Sequence, residues 1–490
     1  MTNEYTEFWL ALLEFGDTEE KRRQNWNDYC GWKFSVIYPR LLESGELIEF
    51  QQRLRYTSGP GSEGERRFNQ LAEEHGGHPP LPSGPSGEIR SFMDFSGMEF
   101  PDNVSFAGRI LIGANFRQTV FNKQANFTST EFLGPAQFDN VKFHSTQLSM
   151  AETGSQLVSF FGSIFHDAAF FRAAQFSYVS NFGTAVFRRE ASFYQATFPS
   201  RFVRSNLNRA QASFRLSQFQ NLADFRKAVF GADVEFDNAE MAERANFSGA
   251  EFHGAARFHN CGFRSTTLFR NAVFWKPPDF FETELHEDAD FSGADWTKAE
   301  SSYHRSIRRD ELVRDVSIHA NDAMRAWDRL ALIMSQREKL PERHEFFRLK
   351  MRAQRQRDGR SLLSFLNWLF DVSSDYGWSV GRALTCWAGQ FVAMGIILAG
   401  LALNCSPEAT SGRQHVRQVV LDGLSLSFAN SHAFLRLTSG GGWLHGSRDS
   451  IVNSCEADWL FNYIGLAQAV FGPVLLFLVL LALRNRFRLG

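Results

Sequence analysis

Few side chains in this 490-residue chain combine the residue type and the spacing that chemistry requires. Its five cysteines contain no C-x-x-C pair, which excludes a zinc ribbon and a disulfide-dense secreted scaffold. G-x-S-x-G, P-loop, H-E-x-x-H and dinucleotide glycine fingerprints are all absent. His253 and His259 each follow a phenylalanine and read as solvent-facing residues rather than metal ligands. Two constellations remain. Cys405 and Cys455 would form a disulfide if the segment between them faces an oxidising compartment. Asp422 would place a fixed negative charge near the mouth of a cation pore, with Gly472 and Pro473 hinging a helix of that pore. No catalytic residue, cofactor or metal site is expected, so the chain does not read as an enzyme.

The elements that must position these residues are dominated by one long stretch, from about Asp94 to Trp296. Phenylalanine recurs there at alternating intervals of five and six: Phe116, Phe121, Phe127, Phe132, Phe138 and Phe143, then Phe160, Phe165, Phe171, Phe176, Phe182, Phe187, Phe193 and Phe198. A second run holds Phe214, Phe219, Phe225, Phe230, Phe236, Phe247, Phe252, Phe258, Phe263, Phe269, Phe274, Phe280 and Phe291, with Met241, Leu285 and Trp296 on its remaining beats. Between Phe143 and Phe160 the beat continues as six, five and six if Ser149 and Gly154 stand where phenylalanine is due. From Phe198 to Phe214 the count is sixteen instead of the seventeen that alternation predicts, and a loop or bulged coil is expected at both places.

A helical hendecad would throw successive phenylalanines about 140° apart, onto nearly opposite faces. The Gly, Asn, Asp, Ser and Thr that crowd the intervals also favour turns. A small residue usually precedes each phenylalanine by two positions, as in Ala245-Asn246-Phe247-Ser248-Gly249-Ala250-Glu251-Phe252. In a strand that spacing points both inward and the flanking polar residues outward. Very short strands joined by tight turns follow, with the phenylalanines as the core.

These Ala-Asn/Asp-Phe units resemble the pentapeptide-repeat proteins. The resemblance implies a mainly β fold, a right-handed four-sided β-helix with phenylalanine at the centre of each face. Four faces of five, six, five and six make a coil of about 22 residues, hence about nine coils and roughly 43 Å of rod. Ser374-Asp375-Tyr376-Gly377-Trp378-Ser379 and the tail Leu483 to Arg488 further resemble a membrane-anchored bacterial branch of that family.

Composition places the rest. With 43% hydrophobic residues and a net charge of −2, the chain is neither disordered nor a bulk nucleic-acid binder, and no nucleic-acid partner is expected. Residues 1–60 read as a small helical region with Phe8, Trp9, Leu12, Leu13, Trp26 and Tyr29 in its core, and 61–93 as a Gly/Pro/Ser linker. The β-helix occupies 94–296. Residues 297–360 carry a helical period over Ala320, Met324, Trp327, Leu330 and Met334, then one over Phe347 and Met351, and read as an antiparallel pair capping the rod. A basic stretch, Arg348, Lys350, Arg352, Arg355, Arg357 and Arg360, reads as a seat on anionic lipid.

Residues 361–490 read as a two-span membrane module. Ala383 to Leu403 and Tyr463 to Leu483 carry no Asp, Glu, Lys or Arg and are each long enough for a hydrocarbon core of roughly 30 Å. The arginines before the first span and after the second place both termini in the cytoplasm of a bacterial inner membrane, with an extracytoplasmic loop at 404–461. Val419 to Leu437 lies between the spans and reads either as a helix resting on the bilayer or as the pore helix of a two-span channel. Its continuation, Leu437-Thr438-Ser439-Gly440-Gly441-Gly442-Trp443, departs from the T-V-G-Y-G of potassium channels.

The functional expectation is a membrane-anchored scaffold whose β-helix binds a protein partner as yet unknown, with the lipid bilayer as a second partner. The alternative is a homo-oligomeric, channel-like assembly regulated by the rod. A third reading, DNA mimicry against gyrase, asks for an acidic rod and meets Arg188, Arg189, Arg201, Arg204 and Arg209 instead.

The topology makes one redox prediction. In unreduced, denatured protein, thiol labelling should find three reactive cysteines, rising to all five after reduction. The Cys405–Cys455 bridge closes a loop of about fifty residues and would contribute roughly 4 kcal/mol. Five free thiols before reduction would refute it.

Overall fold

The computed structural model describes residues 5–37, 63–79, 93–143, 157–177, 179–198, 212–300, 313–405, 413–432 and 458–487. The chain forms two compact units, Met1–Arg337 and Glu338–Gly490.

In the first unit, thirty described strands of two or three residues run from β1 at Met93–Asp94 to β30 at Val273–Phe274. Every fourth strand pairs in parallel, which gives four sheets of eight, eight, seven and seven strands. This is a four-sided, parallel β-solenoid. Most pairings join residues 22 apart, such as Ala223 with Ala245. The coil at 279–296 pairs through single-residue bridges, at Asp279, Glu284, Asp290 and Asp295, each donating and accepting a backbone hydrogen bond of 2.7 to 3.1 Å. Thirty strands on four faces make about seven full turns of ladder before it, fewer than the nine coils expected.

The alternating burial follows from the pleat. Ala125 and Phe127 are fully buried while Asn126 between them is not. Identical positions stack, so Phe160 lies parallel to Phe182 with ring centroids 4.8 Å apart and meets Phe171 of a different face edge-on at 5.3 Å. Offset and edge-to-face contacts both satisfy the ring quadrupole, and burial of each ring contributes about 2 to 3 kcal/mol before entropy. Met241 continues the column between Phe219 and Phe263, and Trp296 closes another by stacking on Phe274 at 4.7 Å. Outward is not the same as exposed. Asn246 is only 7% accessible, and its Oδ1 accepts from the Ser248 amide at 3.0 Å and hydroxyl at 2.7 Å.

The five-residue corners share one turn. Two residues after the phenylalanine the backbone turns left-handed, at Gln118, Ser129, Asn140, Ala173, Thr184, Gln195, Leu216 and Lys227 among others. The amide one residue further donates back to the phenylalanine carbonyl, as from Ala228 to Phe225 at 3.1 Å, which is a type II turn. A side chain in that conformation costs about 1 to 2 kcal/mol. The Phe core must offset it at corner after corner.

Pairing corrects the beat expected between Phe143 and Phe160. Phe143 pairs with Phe176, and Phe160 stacks on Phe127, so Phe160 takes the face directly after Phe143. No face remains for Ser149 or Gly154. The step is seventeen residues where the same corner takes six from Phe176 to Phe182, an excess of eleven. Phe214 likewise takes the face directly after Phe198, since it stacks on Phe182, and here the excess is ten. The loops expected there lie outside the described residues.

Helices close both ends. Helix α1 (Thr6–Glu14), α2 (Glu19–Ile37) and α3 (Glu63–Glu74) form an aromatic cluster around Phe8, Trp9, Trp26 and Tyr29. On the first rung, at Ile110–Ile112, the Ile110 amide donates to Asn27 Oδ1 at 2.9 Å, and its carbonyl accepts from Trp26 Nε1 at 2.7 Å. Arg109 stands where later coils carry Thr130, Ser163 or Ala185. It is 1% accessible and reaches out of the rod to Glu19 at 2.8 Å and the Leu13 carbonyl at 3.4 Å. Edge pairing that a further coil would supply is thus met by α2. At the other end Trp327 of α4 (Val313–Gln336) meets Trp296 edge-on at 5.4 Å, and Arg329 donates to the Thr283 carbonyl at 3.4 Å.

Strain at the corners is testable. Leu216→Gly and Lys227→Gly should each stabilise the rod by about 1 kcal/mol in chemical denaturation. Phe225→Ala, inside the same turn, should destabilise it by about 3 to 5 kcal/mol. Destabilisation by both glycines would show that those side chains do more than tolerate the turn.

Candidate functional site in the helical unit

The second unit holds, among its described residues, α5 (Leu340–Asp358), α6 (Leu362–Ser374), α7 (Val380–Cys405), α8 (Arg413–Ser431) and α9 (Asp458–Phe487). Val380–Asn404 and Trp459–Phe487, with mean hydropathy 1.9 and 2.5, are long and apolar enough to cross a membrane. Their outer surfaces expose Ile396, Leu466 and Phe477.

Helix α8 does not rest apart from these two helices. It packs antiparallel to α7, and it also packs on α9. Gly423 meets Gly395 so closely that a Cβ on it would stand 2.6 Å from the Gly395 carbonyl oxygen. Further along, Ser427 Oγ donates to the Phe391 carbonyl at 2.7 Å and Ser431 Oγ to Gln390 Oε1 at 3.3 Å. Val419 and Leu426 share an apolar cluster with Leu398, Ala399 and Ala402 of α7 and Phe461 of α9. Over Arg413–Ser431 this segment is therefore a helix packed along both apolar helices.

A polar cluster forms where α8 ends. Gln468 of α9 is fully buried and donates to Ser427 Oγ at 2.5 Å, while Asn430 Nδ2 donates to Gln468 Oε1 at 3.2 Å. Asn430 Oδ1 is buried without a hydrogen-bond partner. His432 Nδ1 lies 2.9 Å from the Phe428 carbonyl, and its ring meets Trp387 edge-on at 5.6 Å. Side chains of this kind are costly among apolar helices and are kept where they pair or serve a pathway. The negative end of the α8 dipole falls at the same place.

A second polar site joins α5 to α6. Asp371 accepts from Arg352 Nε and Nη2 at 3.2 Å each and from Arg355 at 3.2 Å, and Asp375 accepts from Arg348 at 3.3 Å. Three arginines expected to seat on lipid are thus engaged internally. His344 stacks on Trp378 at 4.5 Å, and burial holds its imidazole below the ordinary histidine range. Phe346, Leu349 and Ala353 are the buried stripe of α5, whereas Phe347 is exposed, contrary to the stripe expected over Phe347 and Met351.

Among known families, residues 214–262 match the model described as pentapeptide repeats (9 copies). The matched residues belong to the same ladders and ring columns as the coils on either side of them. The rod is a pentapeptide-repeat solenoid. No curated protein and no solved structure matches the chain.

The residues proposed from sequence take definite places around this solenoid and the helical unit. The named phenylalanines, from Phe116 to Phe263, are buried in the columns. Asp422, half-buried on α8, accepts from Gln418 at 3.3 Å. It lies nine residues from Ser431, about 13 Å along the helix, and so is not brought to Gly472. Helix α9 runs unbroken through Gly472 and Pro473, and Gly472 is a packing residue: a Cβ there would overlap the Ser431 carbonyl. Cys455 lies outside the described residues, as does any Cys405–Cys455 bridge, while Cys30, Cys261 and Cys386 are free. Among the described residues no group of His, Cys, Asp and Glu is arranged to hold a metal ion. The polar cluster was missed from sequence. Its signal was Gln390 and Gln468, the amides inside two charge-free stretches.

Close packing at the cluster predicts a contrast between two glycines. Gly472→Leu should lower detergent-solubilised thermal stability by about 1 to 3 kcal/mol or more. Gly400→Leu, where an added Cβ meets nothing within 4 Å, should be close to neutral. Equal effects would remove Gly472 from the α8–α9 contact.

Proposed function

We propose that the protein is a membrane-anchored scaffold. The pentapeptide-repeat solenoid presents its sides to a protein partner, and α7 and α9 hold it at a bacterial inner membrane with both termini in the cytoplasm. One observation carries this reading: both ends of the solenoid are occupied by its own helices, so the long polar sides are what remains for recognition. Those sides carry laddered charges, with Asp139 between Arg172 at 2.7 Å and Arg117 at 3.5 Å, and Asp224 against Arg226 at 2.8 Å. The core positions are filled by phenylalanine and small residues, which leaves no space for catalytic groups and supports a non-enzymatic role.

A second reading is favoured by α8. A helix inserted beside two spans, ending on buried amides, hydroxyls and an imidazole, supports a channel-like oligomer whose pathway passes the Asn430–Gln468 cluster. Nucleic-acid mimicry has no comparable support.

Flotation and conductance separate these readings. Full-length protein should float with liposomes and resist carbonate extraction, and reporters fused at either terminus should signal from the cytoplasm. A scaffold leaves planar bilayers silent. Conductance altered by Gln468→Leu would establish the channel reading instead, and a soluble protein would overturn both.

A further inference from the structure

Helix α6 is built inside out. Ser364, Asn367, Asp371 and Ser374 recur at steps of three and four, a helical stripe, and this polar stripe is the one turned inward. Ser364 Oγ donates to the Arg355 carbonyl at 3.2 Å, Asn367 Nδ2 to the Met351 carbonyl at 2.9 Å, and Asp371 holds Arg352 and Arg355. The opposite face is apolar and open. Leu362 is 74% accessible and Leu363 69%, with Phe365, Leu366, Trp368 and Val372 between 46% and 55%. A short water-facing helix would carry the reverse arrangement.

Where this face lies decides what covers it. After Ser374 the chain reverses through Asp375, Tyr376 and Gly377, three successive residues of positive φ. That reversal delivers it directly to the start of α7. The last turns of α9 meet the same point, since Asn485 Nδ2 donates to the Gly377 carbonyl at 2.8 Å and Leu481 packs where a Gly377 side chain would stand. Helix α6 therefore sits at the arginine-flanked end of both apolar helices, beside Arg484 and Arg486. Its open face is continuous in chemistry with theirs. No charged residue occurs from Leu362 to Phe370, and Ser364, Asn367 and Asp371 are already bonded to α5.

We propose that α6 is an interfacial membrane helix, lying along the bilayer surface with Leu362, Leu363, Phe365, Leu366 and Trp368 in the headgroup and upper acyl region. It fixes the depth of the helical unit from the side, as the two spans fix it along the membrane normal. The Arg352–Asp371–Arg355 clamp is the back of this helix, so it braces α5 against the lipid surface rather than contacting lipid itself. The inference rests on the membrane reading above and fails separately from it.

The test is Trp368 fluorescence in full-length protein reconstituted into phosphatidylcholine–phosphatidylglycerol vesicles. The Trp368 signal is the wild-type spectrum minus that of Trp368→Phe, and it should be quenched more by lipid brominated near the headgroup than near the chain ends. Leu362→Asn and Phe365→Asn, both on the open face, should leave melting in detergent unchanged and weaken that quenching. A Trp368 signal insensitive to both bromolipids, in protein that floats and whose other tryptophans are quenched, overturns the proposal and leaves the anchor standing. Shielding of that signal from aqueous acrylamide without lipid quenching would assign the face to a second copy or another protein, which also overturns it. Protein that neither floats nor is quenched removes the membrane reading itself.

Discussion

The spacing of parallel strands sets everything in the solenoid. Neighbouring strands lie about 4.8 Å apart, and two aromatic rings in parallel offset contact need nearly the same separation. Columns such as Phe171 on Phe193 and Phe176 on Phe198, each at 4.8 Å, meet both requirements at once. No other common side chain fills that distance so evenly, which is why Met241 and Leu285 are exceptions within a column and not alternatives to it. The match also explains the small residue beside each ring. Ala185 and Ala196 share the interior with rings that leave space for little more than a methyl group.

That coupling made the rod legible in the sequence. Five-and-six alternation marks the faces, the family resemblance implies four of them per coil, and the alanine two positions earlier fixes which way each face points. The ends were less legible. Arg109 breaks the small-residue rule because its neighbour is α2 and not another coil, and nothing in the repeat itself announces that the coil is the first. The count of coils erred for a different reason: the long steps from Phe143 to Phe160 and from Phe198 to Phe214 add residues, close to one coil in all, without adding a face. Side-chain periodicity and backbone pairing are separable, and only the first is visible in sequence.

The helical unit obeys the opposite logic. Apolar residues on α6, α7 and α9 face outward, and the polar ones gather inside, at Asp371 with its arginines and at Gln468 with Ser427 and Asn430. In water such a unit would be upside down. In a bilayer the outward faces cost nothing and the buried polar pairs gain strength from the low dielectric. Sequence located the long apolar stretches because length and absence of charge suffice for that. It placed α8 between them but left its packing open, because the close approach of Gly423 to Gly395 and of Gly472 to Ser431 is a property of pairs far apart in the chain.

Corner geometry explains where the solenoid departs from its own rhythm. The five-residue corners are closed by a hydrogen bond from the third residue after phenylalanine back to its carbonyl, with a left-handed residue between. An added residue there would break the turn and shift the register of every later face. The six-residue corners carry one residue more and no such closed turn. Both long steps, Phe143 to Phe160 and Phe198 to Phe214, fall at the same six-residue corner, two coils apart, and the columns on either side resume without a slip. Insertion is thus confined to the corner whose geometry does not set the ladder. Because that corner recurs along one edge of the rod, chain length can be added there while the Phe columns stay in register.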